Sequence, residues 1–162
     1  MHRIANLLNI QKIVTIHYQE LSRNYASREE SHDFWEIIYA DKENLSIVLD
    51  EERVPLSQGE IIFIKPNQKH FVESGKKEPN IFIVSFECRS ESMGFFCDKK
   101  FPVPENYRYL LQNIMSEATE TFVIPDFDPD LNKLELRPHP NLGGEQVIKN
   151  SLELLLVYLL RA

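Results

Sequence analysis

The chain has 162 residues, of which 43% are apolar and 27% charged, with a formal net charge of −7. That size suits one domain with a real core, and an acidic balance without clustered Lys and Arg excludes strong nucleic-acid binding by this chain alone. Its longest apolar run, Leu154 to Leu160, is too short to span a bilayer, so no membrane partner is expected.

The N-terminus, Met1-His2-Arg3-Ile4, lacks the continuous apolar stretch of a signal peptide. Cys88 and Cys97 match no zinc or redox spacing. A cytoplasmic protein with free thiols is expected. The first two-thirds read as short strands. Ile13 to Tyr18 is β-branched and half alternating, and Phe34 to Tyr39 is aromatic and β-branched. Leu45 to Leu49 follows a polar turn. Ile61 to Ile64 is opened by Gly59 and closed by Pro66-Asn67. Ile81 to Phe86 follows the turn from Gly75 to Asn80. Short strands separated by turn residues predict an antiparallel sandwich or barrel.

The last third changes period. Tyr107, Leu110, Leu111, Ile114, Met115, Ala118 and Phe122 recur at helical spacing, which predicts a helix from about 104 to about 121 with Pro104 in its first turn. The stretch from Pro125 to Asn141 holds four prolines and reads as a loop or extended arm. In that arm Phe127, Leu131, Leu134 and Leu136 call for burial. A second helix is predicted from about Glu145 to Arg161. Its second half is apolar all round and must be covered on every side. A small barrel covers one side only, so a homodimer through Ile148, Leu152, Leu155, Leu156 and Leu159 is expected. The sequence stops within that helix at Arg161-Ala162 without a cap, which reads as the trimmed end of a longer protein.

Two segments carry chemistry. In His32-Asp33-Phe34-Trp35-Glu36, alternation on a strand puts His32, Phe34, Glu36 and Ile38 on one face, with Trp35 outside, against a helix or the N-terminal strand. In Gly59 to His70, a glycine turn, an apolar strand and a proline turn deliver His70 to the next strand. The runs Glu29-Glu30, Asp50 to Glu52 and Lys76-Lys77 read as solvated turns. The expected ligand pocket is lined by His32, Phe34, Glu36, Ile38, Phe63, His70, Phe82 and Val84.

These segments resemble the two motifs of the cupin barrel. In metal-binding cupins three His and one Glu hold a divalent metal. His32, Glu36 and His70 match three of those positions, and Glu30 stands where the first His would be. That departure argues against a metal, and no metal or other cofactor is expected. His32, Glu36 and His70 remain the candidates should one bind. The resemblance is closer to the sensor domains of the AraC family. It rests on His32-Asp33-Phe34-Trp35-Glu36-Ile37-Ile38-Tyr39, on Gly59 to His70, on Val84-Ser85-Phe86-Glu87-Cys88 followed by Met93, and on Gly144 to Leu155. It implies a mainly β fold with C-terminal helices: a cupin-like (jelly-roll) barrel over residues 1–100, then two helices over 101–162 packed on it as one unit. It also implies an effector-sensing and dimerisation domain of a transcription regulator, not an enzyme. The effector would be a small polar molecule such as a sugar. DNA contact would come only from a C-terminal helix-turn-helix half absent from this chain. The competing reading is a metal-dependent cupin enzyme, such as a dioxygenase or isomerase.

Overall fold

A computed structural model of the chain describes residues 1–125 and 133–162. Ten strands precede or separate two α-helices. They are β1 (Ile10–Glu20), β2 (Trp35–Lys42), β3 (Leu45–Leu49), β4 (Glu52–Leu56), β5 (Glu60–Ile64), β6 (His70–Glu73), β7 (Asn80–Cys88), β8 (Lys100–Pro102), β9 (Phe122–Val123) and β10 (Glu135–Leu136). Helix α1 spans Arg108–Thr121 after a 3-10 turn at Glu105–Tyr107, and α2 spans Gly144–Arg161. A five-stranded antiparallel sheet in the order β1-β7-β2-β5-β8 faces a three-stranded sheet in the order β4-β3-β6. This is the cupin-like barrel expected, with the helices laid on the outer face of the larger sheet.

Each of the five expected runs is a strand, and β4, β6, β8, β9 and β10 are additional. Those five gave little signal. β4 carries Pro55 and is an edge strand, the one place a sheet tolerates a residue without an N–H. β6 and β8 hold four and three residues, too few to show alternation. The β3–β4 hairpin turns on Asp50 (φ 45°) and Glu51 (φ 73°), the pair of left-handed conformations that matches the strand twist. Asp50 is more than a solvated turn residue, because its carboxylate accepts from the Lys69 backbone N–H and the Gln68 amide, each at 3.3 Å.

Alternation on the large sheet divides its side chains between two cores. Glu36, Ile38 and Ala40 of β2 stand beside Ile64 and Ile62 of β5 and beside Ser85, Ile83 and Ile81 of β7. The apolar members of this set face inward and pack with Ile47, Leu49, Leu56 and Val72 of the small sheet. Trp35, Ile37, Tyr39, Ile61, Phe63, Phe82, Val84 and Phe86 belong to the other face and pack with Leu110 and Ile114 of α1 and Ile148, Leu152, Leu155, Leu156 and Leu159 of α2. Trp35 therefore lies outside the barrel against the helices, as expected.

The helices correct the expected dimer surface. Ile148, Leu152, Leu155, Leu156 and Leu159 are each fully buried within their own chain. They lie on the side of α2 that meets α1 and the sheet, and have no surface to offer a partner. The large apolar side chains that α2 leaves exposed are Val147 and Leu154. In the arm, Leu134 packs partly against the core, Leu136 is half exposed, and Phe127 and Leu131 lie outside the described residues. Among the described residues no helix is long and apolar enough to cross a membrane, and both cysteines are free thiols.

Candidate functional site

One end of the barrel interior breaks the apolar rule. Glu36 is the second residue of β2, and its inward-facing neighbour on β7 is Ser85, whose hydroxyl donates to Glu36 Oε1 at 3.1 Å. Both are buried. A buried carboxylate is costly without partners, and two imidazoles supply them. His32 Nε2 lies 3.5 Å from Glu36 Oε1, and His70 Nε2 lies 3.1 Å from Glu36 Oε2. His70 Nε2 also lies 3.5 Å from Glu30 Oε1.

The backbone holds this quartet together. Glu30 and His70 exchange backbone hydrogen bonds in both directions, at 3.0 and 2.9 Å, and the Asn67 N–H donates to the His32 carbonyl at 2.6 Å. The turn before β6 is thus tied to the segment before β2. Asn67 sits at φ 67° within that turn, a conformation Asn tolerates better than most residues.

His32 reaches the site differently from the expectation. β2 begins at Trp35, so His32 lies on the bend ahead of the strand and strand alternation does not orient it. Phe34 orients it instead. The two rings stack with centroids 4.0 Å apart and planes 5° apart, and the Phe34 carbonyl lies 3.1 Å from His32 Nδ1. The His70 ring is held by the Gln68 carbonyl, 2.8 Å from Nδ1. A carbonyl can only accept, so each ring carries its proton on Nδ1 and turns Nε2 toward the carboxylates.

The electrostatics follow from this geometry. Burial opposes the charged form of Glu36, but the adjacent His32 and His70 outweigh it and bring the carboxyl down to about 2. Burial likewise opposes charge on His70, but Glu30 and Glu36 beside it carry the imidazole up to about 10. Despite this proximity, the Nε2 atoms of His32 and His70 are buried with no directed hydrogen bond. Their contacts with the carboxylates are electrostatic.

Of the expected pocket residues, His32, Glu36 and His70 converge. Ile38 lies in the barrel interior, and Phe34 is the prop under His32. Phe63, Phe82 and Val84 do not join them. They sit one residue out of phase, on the face that meets the helices. The inward residues of those strands are Ile62, Ile64, Ile83 and Ser85. Ser85 and Glu30 were not expected in the site. A hydroxyl in the middle of the apolar run Ile81 to Phe86 was the available signal for the first. Glu30, read as part of a solvated turn, keeps an exposed flank but aims its carboxylate at His70. The four ligand atoms offered by Glu30, His32, Glu36 and His70 all lie within 4.8 Å of one another. This donor set of two imidazoles and two carboxylates suits a divalent transition metal.

A separate cleft of about 480 Å³ lies between the outer sheet face and α1, lined by Tyr18, Tyr39, Asp41, Gly59 and Arg108 among others. Gly59 has φ +88°, a conformation that calls for glycine, and a Cβ there would stand 3.1 Å from the end of the flexible Arg108 side chain.

The sequence pattern of the AraC-like ligand binding domain matches residues 14–117. The chain belongs to that family. The match takes in all four residues of the quartet. Among solved structures, the chain aligns with an apo ToxT variant from Vibrio cholerae with a TM-score of 0.58 at 9% identity, over 90% of this chain and 55% of that one. It aligns with a predicted oxalate decarboxylase from Thermotoga maritima with a TM-score of 0.44 at 17% identity, over 47% of this chain and 67% of that one. An RmlC-like cupin from Shewanella frigidimarina gives a TM-score of 0.41 at 15% identity, over 50% and 71%. No curated protein matches by sequence. The ToxT alignment extends the shared fold through the helices, and the AraC-like assignment gives the chain a ligand-sensing role.

Proposed function

We propose that this chain is the effector-sensing part of a transcription regulator and that it works by binding rather than turnover. A small polar effector enters the end of the barrel and contacts Glu36, His32 and His70. The observation that carries this reading is the polar quartet itself, set in an otherwise apolar interior and left with two unpartnered imidazole nitrogens. Buried polar atoms call for partners, and a ligand supplies them. A few convergent polar groups in an apolar lining are what fix a small molecule's orientation. A sugar is the first candidate class, because hydroxyls both accept from and donate to such groups. DNA contact belongs to a further domain, and the effector would act by differential affinity for two states of the whole regulator. Pairing of two copies, in this reading, uses the outer stripe of α2 at Val147 and Leu154.

A thermal-shift screen of sugars and other polar metabolites tests the proposal, comparing the native chain with Glu36→Ala. An effector should raise the melting temperature of the native chain and have at least about tenfold lower affinity for the variant, the loss of one charged hydrogen bond. Equal binding by the two proteins would place the effector elsewhere.

A further inference from the structure

We infer that the cleft between α1 and the outer face of the large sheet binds a small monocarboxylic acid with a flat apolar body, at a site separate from the barrel end. The inference goes beyond the effector reading and does not depend on it.

The walls come from strand register and helix period. Tyr18 of β1 and Tyr39 of β2 both pair with Phe82 of β7, so three aromatic side chains stand in a row across neighbouring strands. They belong to the face that meets the helices. Opposite them, Arg108, Leu111 and Met115 of α1 recur at the three- and four-residue spacing that puts side chains on one side of a helix. The helix covers this row without filling the space above it, and about 480 Å³ remains, within the range of small-molecule sites. Aromatic rings on one wall and aliphatic chains on the other suit a flat apolar body.

Arg108 supplies the anchor. Its Nε donates to the Val103 carbonyl at 3.4 Å, and its Nη2 lies over Gly59, 3.1 Å from where a Cβ would stand. The side chain is therefore folded along the cleft. The Gly59 N–H donates to the Ala40 carbonyl at 2.8 Å, and the Gly59 carbonyl accepts from the Val103 N–H at 2.9 Å. This shelf under the guanidinium is thus tied both to β2 and to the segment before α1. Among the described residues no carboxylate pairs with Arg108, and its two terminal nitrogens have no acceptor. They form the planar fork that holds a carboxylate through two parallel hydrogen bonds.

Tyr39 supplies a second donor. Its side chain is buried, yet its hydroxyl has no hydrogen-bond partner among the described residues. Burial holds the phenol above its ordinary range against the pull of nearby Arg108, so the hydroxyl keeps its proton and can donate. A ligand oxygen removes the cost of leaving it unpaired.

Asp41 sets the selectivity. Its Oδ2 accepts from the Tyr18 hydroxyl at 2.5 Å, and the Asn80 amide donates to that hydroxyl at 3.2 Å. Burial and the bond to Asp41 drive the Tyr18 phenol up to about 12, so it stays protonated and holds Asp41 against the cleft. One ligand carboxylate pairs with Arg108. A second would meet the Asp41 carboxylate and be repelled.

The test uses the 162-residue chain with its methionines labelled with carbon-13 at the methyl group, and sodium phenylacetate as the probe. Met115 lines the cleft, Met93 is buried in the core and Met1 is exposed at the N-terminus. The expected result is a shift of the Met115 methyl alone that saturates below about 10 mM phenylacetate. By calorimetry, phenylacetamide, which keeps the ring and lacks the charge, should bind at least about 10-fold more weakly. Phenylmalonate, with its second carboxylate, should also bind more weakly than phenylacetate. Arg108→Gln should lower phenylacetate affinity at least about 10-fold, and Tyr39→Phe roughly 2- to 10-fold. Arg108 is exposed, so its glutamine variant should fold, which circular dichroism checks. No Met115 shift, equal phenylacetate affinity in the native chain and folded Arg108→Gln, or phenylmalonate binding as tight as phenylacetate would overturn the proposal. Phenylacetate binding lost in Glu36→Ala and kept in Arg108→Gln would put the acid in the barrel, which overturns the cleft site and leaves the effector reading standing.

Discussion

Replacing Leu155 with alanine probes whether the apolar second half of α2 belongs to its own chain. Leu155 is fully buried between α1 and the large sheet, while Leu154, rotated by about 100° around the helix, keeps 38% of its surface exposed. Truncating a wholly buried leucine costs about 2.7–5.0 kcal/mol, the spread reflecting how far the cavity collapses. The five apolar residues of that seam hold both helices on the barrel, leaving little room for relaxation, and we expect a cost above 3 kcal/mol, toward the upper part of that range. Leu154→Ala should cost within roughly 1 kcal/mol, because alanine is the better helix former and less surface is lost. Urea unfolding followed by circular dichroism, at several protein concentrations, measures both. The Leu155→Ala loss should be independent of protein concentration, since the contacts are intramolecular. If it falls below about 1 kcal/mol, or grows on dilution as a subunit contact would, the seam is an interface between copies and the packing described here is wrong.

Two further predictions concern the same layer. Gly144 opens α2 so close to Thr121 that a Cβ would overlap the buried, unpartnered Thr121 hydroxyl. Gly144→Ala should therefore cost about 1–3 kcal/mol by overpacking, and less in a Thr121→Ala background. A double-mutant cycle with no coupling would remove that contact from the account. If copies pair through the outer stripe of α2, Leu154→Glu should shift sedimentation from dimer to monomer without altering the circular dichroism spectrum. A native chain already monomeric at tens of micromolar would contradict the pairing.

The sequence made the barrel legible because its long strands alternate or are β-branched and are separated by glycine and proline turns. It made α1 and α2 legible through helical period. Which face of each strand points inward was harder. His32 led the phase assignment for β2 correctly at Glu36 and Ile38, but nothing local relates the phase of β5 or β7 to that of β2. Both faces of the large sheet are buried, one by the small sheet and one by helices, so Phe63, Phe82 and Val84 are as apolar as Ile62, Ile64 and Ile83. Only the pairing register separates them. The same ambiguity affected α2. A helix apolar all round signals cover on all sides, yet does not say that α1 and the barrel together hide Leu155 and Leu159 completely. Glu30 stood at the fourth motif position yet read as a solvated turn residue because it sits in a charged run. Backbone pairing with a residue forty positions away is what brings it to His70.

The most direct test of the central claim, that ligand enters the barrel at the Glu36 site, is the imidazole nitrogen NMR spectrum during titration with a stabilising compound. The account predicts that His32 and His70 alone respond. Their Nε2 resonances should move to saturation together while both Nδ1 atoms stay protonated, and His2, His17 and His139 should remain unchanged. Movement confined to those other three histidines, with His32 and His70 silent at saturation, would contradict it.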